Sequence, residues 1–126
     1  MDVTPLVKEG SKIIQSYAGG RFRVSGEVHE GAILVSQDSV RSWSANGPVQ
    51  ELTEQDFEVL ITMQDEFDVV LLGTGKVLRF LAPELKAALK QKGLHVEVMD
   101  SGAACRTYNV LMAEGRRVVA AMLPHE

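Results

Sequence analysis

Two stretches of the chain carry residue types at spacings from which chemistry is built. The first is Val69-Val70-Leu71-Leu72 running into Gly73-Thr74-Gly75-Lys76: an apolar strand entering a glycine-rich turn ahead of a helix, as many phosphate sites begin. A dinucleotide fingerprint, G-x-G-x-x-G, needs a third glycine where Leu78 stands. It also needs a helix that opens inside the motif, whereas the helical pattern here begins only near Pro83. A P-loop, G-x-x-x-x-G-K-[ST], needs glycine at Val70 and a magnesium-binding hydroxyl at Val77. Neither nucleotide motif is met. The turn reads first as a sharp exit from a buried strand, with Gly73 and Gly75 supplying the backbone freedom. A backbone-amide anion site stays open as the second reading, because ligands of open α/β sheets collect at the carboxyl ends of parallel strands.

The second stretch runs Val98-Met99-Asp100 and then Ser101-Gly102-Ala103-Ala104-Cys105-Arg106-Thr107-Tyr108-Asn109. Ser101 is the expected N-cap, which puts the free amides of a first helical turn at the same sheet edge as the Gly73 turn, provided the two strands pair directly. Gly73, Thr74, Gly75, Ser101, Arg106 and Asn109 are therefore the candidate ligand-binding set, with Arg106 and Asn109 fixing an anion in a cleft between the turn and the helix terminus. The competing reading pairs Arg106 with an acid, Asp100 or Glu114, and gives Asp100 a capping or solvated role. Cys105 lies near a helix N-terminus beside Arg106, conditions that lower a thiol pKa, yet its place at the edge of an apolar face favours an inert core residue. His29, His95 and His125 are scattered, and His29-Glu30 lacks the second histidine of HExxH. A single cysteine leaves no CxxC metal site. No catalytic residue, metal or cofactor is expected.

The elements that must position these residues follow from hydrophobic spacing. Ile13 to Tyr17 is a short apolar stretch ending near Gly19-Gly20, and Phe22 and Val24 then alternate with polar neighbours as in a half-exposed strand. His29-Glu30-Gly31 reads as a turn, Ala32 to Val35 as a more buried strand, and Ser42 to Pro48, with Asn46-Gly47-Pro48, as loop. Thr53 with Asp56 resembles a capping box, and Phe57, Leu60 and Ile61 continue it as a helix from Thr53 to Asp65. Strand and helix then alternate: Phe67 to Leu72, Pro83 to Lys92 closed by Gly93, Leu94 to Met99, Ser101 to Glu114 closed by Gly115, and Val118 to Leu123. That alternation argues for an α/β fold with parallel βαβ units in the C-terminal half, to which the β-rich first half adds or on which it packs. The Ser101 helix carries no lysine, and Ala103, Val110 and Ala113 lie outside its main apolar face. It is expected to be covered on more than one side, by another element or a partner chain.

At 126 residues the chain is expected to form one domain, and its 45% apolar and 24% charged content is that of a globular protein. No apolar run approaches the roughly 18 residues of a membrane helix, so direct membrane insertion is not expected. The N-terminus shows neither a secretory nor a transit pattern and is read as cytoplasmic. Net charge is −4, and the thirteen Lys and Arg form no block longer than two, which argues against nucleic acid as a partner.

The chain resembles the uncharacterised-domain family that includes a mitochondrial respiratory complex I assembly factor and many small bacterial and archaeal proteins. The resemblance is carried by Tyr17-Ala18-Gly19-Gly20-Arg21-Phe22, by Gly31 to Val35 with Trp43 after it, by Leu72-Gly73-Thr74-Gly75, and above all by Met99 to Asn109 with Glu114-Gly115-Arg116-Arg117. It implies a compact three-layer α/β domain with a central mixed sheet and an added N-terminal β-hairpin. It implies no agreed catalytic residues or cofactor. With no nucleophile, metal or phosphate constellation in the sequence, the first functional expectation is a non-catalytic protein-binding or assembly module whose partner is a respiratory complex assembly protein. The alternative is a small-molecule binder or enzyme using the cleft at Arg106. A redox role for Cys105 comes third, and a homo-oligomer stays open.

Overall fold

The computed structural model describes residues 10–45 and 48–124. Three antiparallel strands open the chain: β1 (Ile14–Ala18), β2 (Arg21–Val24) and β3 (Glu27–Glu30), in that spatial order. Gly19 and Gly20 both have positive φ, +57° and +76°, and form the two-residue turn whose twist matches a hairpin. Ser25 and Gly26 repeat this geometry between β2 and β3. The expected turn at His29-Glu30-Gly31 is therefore corrected. His29 and Glu30 are strand residues paired with Phe22 and Arg21, and the hairpin extends to a third strand.

The five-stranded sheet has the order β5-β4-β8-β6-β7, built from β4 (Ile33–Val35), β5 (Val40–Ser42), β6 (Val69–Gly73), β7 (Val96–Met99) and β8 (Val118–Met122). β6 pairs in parallel with both β7 and β8, while β4 is antiparallel to β8 and to β5, so the sheet is mixed as expected. The chain passes from β6 through α2 (Pro83–Gln91) to β7, then returns through α3 (Ser101–Ala113) to β8 on the far side of β6. Two crossovers of the same hand running in opposite directions place their helices on opposite faces. The strand residues sort accordingly. Val70, Leu72, Val119 and Ala121 pack with Phe57, Leu60 and Leu89 on one face, and Leu71, Val118, Ala120 and Met122 pack with Ala104, Tyr108 and Met112 on the other.

The three-stranded sheet lies on the outer side of α3, with Ile14, Phe22 and Val24 entering the same core. α3 is thus covered by another element of the chain, which accounts for its lack of lysine. Val110 departs from that expectation and is exposed.

The helix expected from Thr53 to Asp65 is broken. The Thr53 amide does donate to Asp56 Oδ2 at 2.8 Å, but 3₁₀ turns at Glu54–Phe57 and Gln64–Glu66 flank a single α-helical stretch, α1 (Glu58–Thr62). Phe57 is fully buried edge-on against Trp43, with ring centroids 5.5 Å apart, and the Trp43 indole donates to the Asp56 carbonyl at 2.7 Å. Those tertiary contacts hold the first turn in the tighter geometry. Trp43, expected in a loop, lies just beyond β5. The Asn46-Gly47 turn signal lies outside the described residues.

Candidate functional site

β6 and β7 pair directly, with Gly73 opposite Met99, so the glycine turn and the start of α3 do share one sheet edge. The two glycines serve different needs. A Cβ on Gly73 would collide with the thioether end of Met122 and press on Ala104, so this position is empty to let β8 and α3 close on β6. Gly75 has φ +103°, a conformation that side chains resist.

The polar groups between turn and helix are paired with one another. The Thr74 amide donates to the Met99 carbonyl at 2.9 Å, the Gly75 amide to Ser101 Oγ at 2.9 Å, and the Ser101 amide to the Gly75 carbonyl at 2.8 Å. Ser101 is fully buried by this seam. It is not the N-cap. Asp100 is, its Oδ1 accepting from the Ala103 amide at 3.0 Å, while the Ser101 hydroxyl is turned to the glycine turn after β6.

The six candidate residues are not gathered around one cleft. Thr74 and Gly75 border a hollow of about 510 Å³ at the carboxyl ends of β6 and β8, together with Val49, Lys76, Arg79 and Leu123. Arg106 and Asn109 border a separate, smaller hollow of about 190 Å³ between α3 and β1, with Tyr17 and Cys105. Gly73 and Ser101 line neither. Asn109 is a clamp: its Oδ1 accepts the Ile14 amide at 3.0 Å and its Nδ2 donates to the Ile14 carbonyl at 2.8 Å, standing in for a strand neighbour at the irregular start of β1. The Tyr108 hydroxyl, one residue earlier on the same helix, donates to the Lys12 carbonyl at 2.8 Å. Arg106 is exposed and makes no salt bridge with Asp100 or Glu114, so the expected internal pairing is corrected.

Burial pushes the Cys105 thiol up to about 12, against the opposing pull of Arg106, so the group stays protonated at neutral pH. Among the described residues no group of three His, Cys, Asp or Glu is placed to hold a metal ion.

Sequence reasoning passed over the segment after the turn. Lys76, Val77, Leu78, Arg79 and Phe80 are all exposed, and Phe80 is 76% accessible. The loop is nonetheless fixed. Thr74 Oγ1 donates to the Val77 carbonyl at 2.9 Å and accepts the Arg79 amide at 3.2 Å, and Leu81 is buried just before Pro83 opens α2. The signal available in the sequence was three large apolar residues in a stretch with neither helical nor strand period.

Residues 14–123 match the family described as "Protein of unknown function (DUF498/DUF598)". NADH dehydrogenase [ubiquinone] 1 alpha subcomplex assembly factor 3 of Bos taurus is 35% identical over 111 residues, which is 88% of this chain and 60% of that protein. The chain therefore spans about three fifths of the length of that curated relative. An uncharacterised protein of Rhodobacter capsulatus is 34% identical over 115 residues, covering 91% of this chain and 86% of its own. Among solved structures, the crystal structure of a Bordetella parapertussis protein superposes with a TM-score of 0.79 at 36% identity, covering 91% of this chain and 97% of that one.

Proposed function

We propose, because the chain belongs to the DUF498/DUF598 family of proteins of unknown function, that it acts as a protein-binding module in the assembly of a larger protein complex. One observation carries the proposal: Val77, Leu78 and Phe80 stand in solvent on a loop that is fixed at both ends. Clustered apolar side chains on an otherwise polar surface mark sites of association. The kinship with a protein named as an NADH dehydrogenase assembly factor supports a respiratory complex, or another of its assembly proteins, as the partner. Tagged protein recovered from the source cell after mild cross-linking is expected to enrich NADH dehydrogenase subunits or assembly proteins about tenfold over a tagged control. Repeated recovery of no stable partner would count against the reading.

A second reading, binding of a small anion at Arg106, is supported by that guanidinium having no acid partner among the described residues while bordering a hollow. Phosphates and carboxylates that raise the melting temperature of the wild type but not of Arg106→Ala would establish it. Equal responses from the two proteins would remove it.

A further inference from the structure

The geometry points to the Lys76–Leu81 loop and the hollow behind it as a single docking site for an extended partner segment that alternates apolar and acidic residues. This rests on the protein-binding reading above and names the surface and the chemistry it would recognise.

Three features select that occupant. The charge is segregated: the chain carries a net −4, yet among the described residues the only charged ones bordering the 510 Å³ hollow are Lys76 and Arg79. Neither cation forms a salt bridge with a described residue, so both are available to carboxylates. The apolar part is divided between a concavity, with Val49 and Leu123 in its wall, and the loop that rims it at Val77, on which Val77 is 56%, Leu78 43% and Phe80 76% exposed. A bilayer surface meets protruding side chains and leaves a concavity unfilled, whereas a peptide places alternate side chains into the hollow and against the rim. Finally, the rim is pre-organised. Thr74 Oγ1 bonds to the backbone of both Val77 and Arg79, and Leu81 anchors the far end in the core, so little ordering is lost when a partner docks. An exposed aromatic on a held backbone, next to an arginine in the sequence, has the make-up of an interface hot spot.

The test places a photo-crosslinking phenylalanine at position 80 of the full chain in the source cell, with the same probe at Val28 and Val110, two other exposed apolar positions, as comparators. The expected result is a discrete adduct from position 80 whose cross-linked peptide, read by mass spectrometry, interleaves Leu, Ile, Val or Phe with Asp or Glu. Adding Lys76→Glu and Arg79→Glu is expected to cut its yield at least fivefold without moving the melting temperature. Adducts from 28 or 110 but not from 80 would overturn the docking site and leave protein binding standing. No adduct from any position would overturn both. An adduct to a basic segment or to a second copy of this chain would overturn the proposal, as would Phe80-dependent flotation of the purified protein with phosphatidylglycerol vesicles.

Discussion

Gly75 and Ser101 hold each other by two reciprocal hydrogen bonds, the Gly75 amide to Ser101 Oγ at 2.9 Å and the Ser101 amide to the Gly75 carbonyl at 2.8 Å. The pair joins the exit of β6 to the first turn of α3, and its side-chain half is buried. Ser101→Ala keeps the backbone bond but leaves the Gly75 N–H without a partner away from water. Such an orphaned donor costs about 1–3 kcal/mol. Urea unfolding of the variant is expected to show a lower midpoint at an unchanged slope, and an unchanged midpoint would mean that water replaces the hydroxyl.

Asn109 performs for β1 what Ser101 performs for the turn. Its amide bonds both backbone groups of Ile14, at 3.0 and 2.8 Å, so one side chain substitutes for a strand partner. Asn109→Leu keeps the branched shape and removes both bonds, at a cost of about 1–3 kcal/mol. The loss is local, since β6 and β8 are held by their own ladder. Hydrogen exchange at the Ile14 amide is expected to accelerate at least tenfold while that of Leu72 keeps its global protection. Equal acceleration at both would show that β1 opens only with the whole molecule.

Much of the fold was legible because local and tertiary preferences agree. Pro83 at the first position of α2, Gly93 and Gly115 closing the two crossover helices, and the continuous apolar runs of β6 and β8 all signal the elements that form. The misreadings occur where the two conflict. β3 was hidden because Glu27, Val28 and Glu30 are exposed and no buried face imposes alternation, while its turn is carried by Ser25 at φ +46°. The Thr53 helix was overextended because Phe57 packs on Trp43 in a geometry that periodicity cannot see. At the site, the long-range partners were not legible. Ser101 looked like a cap and is a long-range acceptor, and Asn109 looked like a ligand group and is a clamp, since both bonds reach residues 26 and 95 positions away.

Cys105 is expected to behave as core. Burial raises its thiol to about 12 from an ordinary value near 9.0, so in the native protein it should resist a disulfide reagent at pH 8 and react stoichiometrically only after unfolding. The sign of the pH effect follows. Between about 9 and 12 the unfolded thiol has lost its proton while the folded one keeps it, so stability falls as pH rises through that window. Burial shifts the Tyr108 phenol in the same direction and adds to the loss. Cys105→Ala is expected to shallow the decline without abolishing it. Rapid native-state labelling at pH 8 would instead show a thiol open to redox chemistry.

Gly73 and Gly75 are expected to fail by different mechanisms when changed to alanine. At Gly73 the new methyl meets Met122 and Ala104, an overpacking whose usual cost is about 1–3 kcal/mol. Because the closest atoms belong to the flexible end of Met122, shortening that side chain should make room. Gly73→Ala with Met122→Ala is then expected to be less destabilised than the sum of the two single variants, by at least about 0.5 kcal/mol. At Gly75 the only close atom among the described residues is the Pro124 carbonyl oxygen, 3.7 Å from where a Cβ would stand, an ordinary contact. The cost there is the φ of +103°, and no trimming of a neighbour relieves it. Gly75→Ala with Met122→Ala should therefore be additive. Chemical denaturation of the two cycles separates a glycine needed for packing from one needed for the turn, and additivity in both would leave the Met122 contact without an energetic role.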